Sequence, residues 1–347
     1  MNYAFLNDYN EICHKKVYEF VGKYYNERTV GYESDRFCKE ASDMIKDLFN
    51  IPDALVQFFI GGTSTNLTMI SHMLLRDYEA VIATKYAHIA NHEGGAVEAT
   101  GHKILIAEDK DGKILPESIE EIYLTHLNDS HMVLPKAVYI SNSTEIGTVY
   151  TKRELKAIHD VCKKYNLYLY LDGARFFAAH YSKYNDIDFE DYGKYVDAFY
   201  IGGTKNGLML GEAAIIVNDQ LKGELLRQLK NKGAVLAKGS LIGLNFMALL
   251  TDSLYKEMAE NADRKAEKLA EYLASNGFDF TWPPETNQIF VNMRDDQIAE
   301  LKKEYGFDDM GYVDCDKKLR AVRLVTSFNT KDEDLDGIFK AIERIKG

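Results

Sequence analysis

Short apolar runs alternate with amphipathic stretches along most of the chain, and this alternation excludes all-helical and all-strand folds. The segment 151–166 has apolar residues at helical spacing, with Thr151 and Glu154 placed for a capping box. Six apolar runs have strand length and end near turn-forming residues; they are residues 54–60, 79–84, 136–141, 167–172, 197–202 and 212–217. Their continuous apolar character predicts strands buried on both faces. The alternation therefore predicts an α/β domain with a mainly parallel sheet.

The pattern changes near residue 241 of the chain. A long helical segment, two apolar runs and a charged helix follow in order, at residues 241–277, 286–293, 321–328 and 331–346. We therefore expect an N-terminal segment and a large α/β domain over residues 1–245, and a smaller C-terminal α+β domain over residues 246–347. Because no long linker rich in Pro, Gly or Ser separates the two parts, we expect them to pack closely.

Composition narrows the possible ligands and the cellular compartment. The 347 residues are 46% hydrophobic and carry a formal net charge of -12 at pH 7 with no basic block, which argues against nucleic acid or an anionic membrane as a partner. The 4 cysteines are widely spaced, without a CxxC pair or zinc-ligand spacing, so we expect reduced thiols in the cytoplasm and no metal site. Neither a signal peptide nor a membrane span is recognisable, and a small molecule is the expected ligand.

The end of the first predicted strand carries a glycine-rich junction. Ligands of open α/β sheets bind beyond the carboxyl ends of the strands. Gly61 and Gly62 permit close backbone approach, and Thr63 and Ser64 supply hydroxyls ahead of a helical stripe. This junction suits a phosphate, although a glycine turn with a Ser or Thr N-cap has the same sequence signature. It matches neither a P-loop nor a Rossmann fingerprint, so ATP and NAD are not expected.

Three further strand ends carry ionisable side chains. His88 follows the second predicted strand, where it is either a ring-stacking or acid–base residue or a structural histidine. Asp172 ends the most apolar run, and a buried carboxylate there requires a cation, either Arg175 or a protonated ring nitrogen of a cofactor. Lys205 lies in a glycine-lined turn, where desolvation would make it a neutral amine that attacks carbonyl groups; a surface loop lysine is the alternative.

Together these features match the requirements of pyridoxal 5′-phosphate. Its phosphate needs N–H donors, its ring nitrogen needs a carboxylate, and its aldehyde needs an amine. The phosphate-binding junction, His88, Asp172 and Lys205 occur in this order along the chain. The sequence therefore predicts a pyridoxal-phosphate site.

The chain resembles the fold-type-I pyridoxal-phosphate enzymes, and within them the L-threonine aldolase / beta-eliminating lyase family, along nearly its whole length. The resemblance is carried by GGTSTNLTMISHML, AHIANHEGGAVEATG, KKYNLYLYLDGARFFAA, TNQIFVNM and AVRLVTSF. It implies an aspartate-aminotransferase-like fold with a seven-stranded-type, mainly parallel sheet. It also implies pyridoxal 5′-phosphate as cofactor, an amino-acid substrate, and a homodimer or homotetramer with active sites at the subunit interface.

The same resemblance implies roles for individual residues. Lys205 would bind the cofactor covalently, His88 would stack on its ring and Asp172 would bind the ring nitrogen, and these three are the expected catalytic residues. The expected cofactor-binding residues are Gly62, Thr63, Ser64, His88, Asp172, Thr204, Lys205 and Lys238. The expected substrate-binding residues are Asn7, Glu145, Arg175 and Arg323.

Four places depart from the family pattern. Thr204 replaces a serine before the lysine, and its hydroxyl would still reach the phosphate. Glu145 replaces a histidine that contacts the substrate β-hydroxyl, which makes threonine itself uncertain as the substrate. Asn7 stands where the family has serine, and Lys238 is the nearest cation where the family has an arginine in a glycine-rich segment.

The expected reaction is retro-aldol cleavage of a β-hydroxy-α-amino acid to glycine and an aldehyde. The base for the β-hydroxyl proton is His88, Glu145 or a water between them, and the sequence does not choose among them. The alternatives are β-elimination or transamination of another amino acid, and a non-catalytic protein that binds pyridoxal phosphate.

Overall fold

The computed structural model describes residues 2–313, 315 and 317–346. Within these residues it contains twelve strands: β1 (Leu55–Phe59), β2 (Glu79–Thr84), β3 (Lys103–Ala107), β4 (Asp109–Lys110), β5 (Lys113–Ile114), β6 (Leu134–Ser141), β7 (Tyr168–Asp172), β8 (Ala198–Gly202), β9 (Glu212–Ile216), β10 (Gln288–Met293), β11 (Asp308–Tyr312) and β12 (Arg320–Val325).

The helices surround these strands. Those of the described residues are α1 (Lys15–Gly22), α2 (Arg36–Phe49), α3 (Gly62–Met73), α4 (His88–Asn91), α5 (Pro116–Leu127), α6 (Lys152–Tyr165), α7 (Phe176–Tyr181), α8 (Phe189–Tyr195), α9 (Leu225–Asn231), α10 (Ser240–Leu250), α11 (Leu254–Ser275), α12 (Asp295–Leu301) and α13 (Asp332–Ile345), with 3-10 turns at Glu98–Thr100, Asp219–Leu221 and Thr251–Ser253. In the part of the chain that the structure describes, no helix is long and apolar enough to cross a membrane.

The large sheet has seven strands in the order β1-β9-β8-β7-β6-β2-β3. Only β9 runs antiparallel to its neighbours, so the predicted mainly parallel α/β sheet is confirmed. All six predicted strands are present, and the predicted capping box of Thr151 and Glu154 begins α6. The seventh strand, β3, was not predicted because it lies at the sheet edge, where Lys103 and Ile106 are exposed and weaken the apolar pattern.

Side chains along each strand point alternately to the two faces of the sheet, and this determines which of them reach the site. On one face of the sheet, Phe49 of α2 packs on Phe199 of β8 with ring centroids 4.9 Å apart. On the other face, Met69 of α3 lies in a buried cluster with Tyr170 and Tyr200. Since successive side chains point to opposite faces, Asp172 lies on the same face as Tyr170, two residues earlier. The carboxyl end of this face carries the candidate site.

The C-terminal part forms a separate antiparallel sheet, β10-β12-β11, with α11, α12 and α13 around a core of its own. Phe5 is fully buried in this core, and its carbonyl accepts a 2.9 Å hydrogen bond from the backbone N–H of Val325, so the N-terminal segment packs on the C-terminal sheet. The predicted single long helix is wrong. Asp252 and Ser253 have positive φ angles of 52° and 53°, which separate α10 from α11. The predicted domain boundary after residue 245 falls within α10 and stays a prediction.

Candidate active site

A cavity of about 340 Å³ lies at the carboxyl ends of the strands, on the face covered by α3. Eight of the predicted site residues line it: Gly62, Thr63, His88, Glu145, Asp172, Arg175, Thr204 and Lys205. These residues come from five separate strand ends and the loops that follow them. The fold brings them together because the carboxyl ends of parallel strands meet at one edge of the sheet.

The first turn of α3 forms one wall of the cavity. The N-cap of this helix is Gly61, which has no side chain to cap the first N–H groups, so the alternative with a Ser or Thr N-cap is wrong. A Cβ atom at Gly62 would lie 3.1 Å from the hydroxyl of Tyr200, so a larger residue would crowd this wall. Uncapped N–H groups and the positive end of the helix dipole make this turn suited to a phosphate.

Asp172 is held by three donors. Its side chain is 4% exposed and accepts hydrogen bonds from Tyr139 Oη at 2.6 Å, Asn66 Nδ2 at 2.9 Å and the backbone N–H of Ala174 at 2.9 Å. These donors stabilise and orient a carboxylate that lines the cavity. This arrangement suits the binding of a protonated ring nitrogen.

Arg175 is not the partner of Asp172, so the structural alternative considered for that pair is wrong. Arg175 instead binds Asp8 in a bidentate ion pair, with Nε–Oδ2 at 2.7 Å and Nη2–Oδ1 at 3.0 Å. Asn287 Nδ2 also donates to Asp8, at 2.9 Å. Burial raises the pKa of Asp8, but Arg175 and then Lys205 outweigh that effect and hold this pKa below its ordinary value. The pair therefore joins the N-terminal segment to the cavity.

We expect Asp8→Asn to lower the free energy of unfolding by about 3 kcal/mol at pH 7, because it leaves the buried Arg175 guanidinium without its counter-ion. A carboxylate whose pKa is lowered by folding stabilises the protein above its unfolded pKa, and this stabilisation is lost as the pH falls through the folded value. The difference between wild type and variant should therefore shrink below about pH 4. Denaturant unfolding at a series of pH values measures this difference in the free energy of unfolding. Glu304→Gln, which removes an exposed pair with Arg344, should cost under about 1 kcal/mol; equal losses in the two variants would contradict the prediction.

His88 begins α4 and presents its ring to the cavity. Its Nδ1 lies 2.8 Å from Glu93 Oε1, and the same oxygen accepts a 2.8 Å hydrogen bond from Asn66 Nδ2. With Nδ1 protonated towards the Glu93 carboxylate, Nε2 keeps a free lone pair. In this tautomer the His88 ring could accept a proton at the cavity, whereas its stacking role stays a prediction.

Glu145 is built into a hydrogen-bonded chain. Its Oε1 accepts from Ser141 Oγ at 2.7 Å and from the backbone N–H of His88 at 2.8 Å, so its carboxyl group is held at the cavity by two donors. Ser141 Oγ also lies 3.2 Å from Tyr139 Oη, which donates to Asp172. Since the Ser141 hydroxyl has one hydrogen, it shares that hydrogen between Glu145 Oε1 and Tyr139 Oη. Burial, with a smaller contribution from Asp172, raises the pKa of Glu145, although the hydrogen bond from Ser141 opposes this change.

Lys205 follows β8 in a turn that is completed by Gly207, whose φ is 76°. The lysine is partly buried and lines the cavity, so it is not a surface loop lysine. Burial and then the neighbouring Arg175 lower the pKa of Lys205 to about 8, although Asp8 and Asp172 oppose the change. The amine is therefore far more readily neutral than that of an exposed lysine.

Glu212 is a site residue that sequence reasoning missed. It is 4% exposed and lines the cavity. Its Oε1 accepts from the Thr204 hydroxyl at 2.7 Å, and its Oε2 accepts from the backbone N–H of Gly203 at 2.7 Å. Glu212 begins the run 212–217, which is predicted to be buried on both faces, and a charged residue at such a position was the sequence feature that could have indicated a site residue. The predicted phosphate contact of Thr204 stays a prediction, because its hydroxyl hydrogen here points to Glu212.

Four predicted residues lie outside the cavity lining. Ser64 is in the first turn of α3, and Asn7 Oδ1 accepts from the backbone N–H of Tyr9 at 2.9 Å. Lys238 is exposed. Arg323 on β12 forms an ion pair with Asp308 on β11. Their predicted contacts with cofactor or substrate stay predictions.

Comparison with known proteins identifies the family. Residues 27–296, most of the chain, match the model of the beta-eliminating lyase family. The chain belongs to the beta-eliminating lyase family. This confirms the resemblance inferred from the sequence motifs.

Two threonine aldolases are similar to this chain along most of their length. The low specificity L-threonine aldolase of Pseudomonas aeruginosa is 34% identical over 275 residues, which cover 78% of this chain and 78% of that protein. The structure of Leishmania major threonine aldolase is 39% identical, with a TM-score of 0.96 over 100% of both chains. Sphingomonas wittichii serine palmitoyltransferase shares the fold alone, at 15% identity and a TM-score of 0.73, over 98% of this chain and 86% of that one. The fold-type-I class is thereby confirmed.

Enzymes of the beta-eliminating lyase family use pyridoxal 5′-phosphate. The cavity residues fit this cofactor, because one cavity combines an uncapped helix N-terminus, a carboxylate held by three donors and a lysine of lowered pKa. These groups supply the phosphate donors, the partner for the ring nitrogen and the amine that the cofactor requires.

Proposed function

We propose that this protein is a pyridoxal-phosphate-dependent aldehyde-lyase that cleaves a threonine-like β-hydroxy-α-amino acid to glycine and an aldehyde. The observation that carries the proposal is the joint presence of Lys205, Asp172 and His88 in one cavity of a chain 39% identical to Leishmania major threonine aldolase. Bound pyridoxal phosphate stabilises the electron pair left on Cα when the Cα–Cβ bond breaks.

Lys205 and Asp172 act on the cofactor side of the reaction. The Lys205 amine would hold the cofactor through its aldehyde. This amine lies in the cavity, where its lowered pKa suits it to return a proton to Cα. Asp172 holds the proton on the ring nitrogen, and Tyr139 and Asn66 fix its orientation.

His88 and Glu145 act on the substrate hydroxyl. His88 Nε2 accepts the β-hydroxyl proton, since Nδ1 is directed to Glu93. Glu145, whose Oε1 is held by Ser141 and by the His88 N–H, binds the substrate hydroxyl with its carboxyl group and leaves proton removal to His88. We therefore propose the imidazole of His88, rather than Glu145 or a water, as the base.

Arg175 binds the substrate carboxylate through the part of its guanidinium that Asp8 leaves free, with Arg323 as the second cation. Asn7, next to Asp8, donates to the same carboxylate. Arg323 pairs with Asp308 through Nη2, and its Nε has no hydrogen-bond partner among the described residues, so this side chain also keeps a donor for a second anion.

Assembly and location belong to the same proposal. The protein works in the cytoplasm as a homodimer or homotetramer with the cavity at a subunit interface. Exposed apolar side chains near the cavity mouth support this: Tyr9 is 50% exposed and Ile60 48% exposed, and both line the cavity. Tyr18, Tyr25 and Tyr32 of the N-terminal part are also exposed. The exposed Lys238 would reach the phosphate of a neighbouring copy.

Product analysis tests the proposed reaction. With pyridoxal phosphate and threonine, we expect glycine and acetaldehyde in equal amounts, because cleavage divides the carbon chain between them. Threonine, allo-threonine and serine form the test panel, and samples without protein are the blank. Production of 2-oxobutanoate and ammonia from threonine would instead indicate β-elimination. Cofactor binding without turnover of any member of the panel would indicate a non-catalytic binding protein.

A further inference from the structure

Glu212 lies between the two strand ends that carry the phosphate-binding turn and the lysine. On β9 it is in register with Phe59 of β1 and with Gly202 of β8. The first turn of α3 follows β1, and Thr204 and Lys205 follow β8. A buried carboxylate therefore lies beside the place where a phosphate binds, an arrangement that by itself opposes anion binding.

The Thr204 hydroxyl binds this carboxylate, and Thr204 lines the same cavity as the phosphate-binding turn. This hydroxyl has a single hydrogen, which it donates to Glu212 Oε1 at 2.7 Å. A phosphate that contacts Thr204 needs the same hydrogen. If Glu212 is ionised, two anions compete for one donor. If Glu212 is protonated, it donates to the Thr204 oxygen, and Thr204 donates to the phosphate.

The surroundings of Glu212 make protonation accessible near neutral pH. The ionisable groups that face it are Lys205 from the turn after β8, Tyr200 on β8 and Tyr170 on β7, whereas Phe59 on β1 is apolar. Burial raises the pKa of Glu212 to about 7, and its hydrogen bonds with Thr204 and Gly203 prevent a larger rise. The cost of adding one proton at pH 7 is therefore small.

We propose that Glu212 takes up a proton from solvent when the phosphate group of the cofactor enters the turn formed by Gly61, Gly62 and Thr63, and that Thr204 then donates its hydrogen to the phosphate. This inference rests on the proposed function, since it assumes that pyridoxal phosphate binds in this cavity. Glu212 thus makes the affinity for the phosphorylated cofactor depend on pH. Below the pKa of Glu212 the affinity is at its highest, and above it the affinity falls.

Glu212→Gln tests this coupling, because the amide donates to Thr204 at every pH and carries no charge. Dissociation constants of pyridoxal phosphate and of pyridoxal, which has no phosphate, are measured by calorimetry at pH 6.5 and 8.5. For pyridoxal phosphate, the ratio of the wild-type to the variant constant should rise by about 20-fold between these pH values, as for one group titrating near pH 7. For pyridoxal the ratio of the wild-type to the variant constant should stay the same at the two pH values. An effect of Glu212 on the Lys205 amine would instead change this ratio for both ligands.

Glu33→Gln is the matched control. The pKa of Glu33 is also raised to about 7 by burial, but this residue binds Gln57 and lies outside the cavity lining. The Glu33→Gln substitution should therefore leave the pH dependence of cofactor binding unchanged. If Glu212→Gln does not fold, the wild-type protein alone tests the proposal. Calorimetry at pH 8.0 in buffers of different ionisation enthalpy measures the number of protons taken up on binding. We expect this number to be roughly one larger for pyridoxal phosphate than for pyridoxal.

Two outcomes separate this inference from the proposed function. A ratio that stays constant for pyridoxal phosphate, or equal proton uptake for the two ligands, overturns the role of Glu212 and leaves the cofactor assignment standing. Failure of wild type to bind pyridoxal phosphate at either pH overturns the proposed function and this inference with it.

Discussion

Lys205→Ala is expected to lower kcat for threonine-like substrates by at least about 1,000-fold, roughly 4 kcal/mol in the activation barrier. The substitution removes the amine that binds the cofactor aldehyde and returns the proton to Cα. It leaves the first turn of α3 and Asp172 in place, so non-covalent cofactor binding should persist. Steady-state kinetics and the absorbance of the bound cofactor measure the two effects separately.

Lys113→Ala is the matched control for that variant. The Lys113 side chain is 19% exposed and pairs with Glu154 at 2.9 Å, outside the cavity. Its removal should alter stability but leave kcat within about threefold of wild type. Activity of Lys205→Ala close to that of wild type would remove Lys205 from the reaction.

Asp172→Asn should lower kcat by about 100-fold, close to 2.7 kcal/mol, while the dissociation constant of pyridoxal phosphate changes by less than about tenfold. An amide does not keep a proton on the ring nitrogen, so the cofactor loses its capacity to stabilise the electron pair on Cα. The phosphate contacts are untouched, which is why cofactor binding should change less than the rate. Parallel measurements of kcat and of cofactor affinity separate the two effects.

Asp197→Asn is the control for a strand-end aspartate without a chemical role. Asp197 accepts from the backbone N–H of Leu169 at 2.8 Å and from Asn218 at 2.7 Å, and it does not line the cavity. We expect this variant to lose stability and to keep its kcat. Equal rates for Asp172→Asn and wild type would show that Asp172 is a structural residue.

The eight predicted residues that line the cavity share one property: they lie at or just after the carboxyl ends of strands. A parallel sheet brings the carboxyl ends of its strands to one edge, so Gly62, Asp172 and Lys205 could be assigned to one site before their contacts were known. Amphipathic spacing likewise fixed the extent of α6. The break between α10 and α11 was missed because positive φ angles at Asp252 and Ser253 have no signature in the hydrophobic pattern.

The partners of the site residues were not predictable in the same way. Asp8 and Arg175 are 167 residues apart in sequence, and Glu212 contacts Thr204 only because β9 turns back against β8. The chain from Ser141 through Tyr139 to Asp172 depends on two adjacent strands being in register. Such contacts depend on tertiary packing, which a pattern along one segment does not encode.

The covalent position of the cofactor tests the central claim most directly. The protein is loaded with pyridoxal phosphate, reduced with borohydride to fix the cofactor to the amine that binds it, digested and mapped by mass spectrometry. The modification is expected on the peptide that contains Lys205, and it should be absent from that peptide when reduction is omitted. Modification of another lysine in place of Lys205, or no modified peptide after reduction, would show that Lys205 does not bind the cofactor.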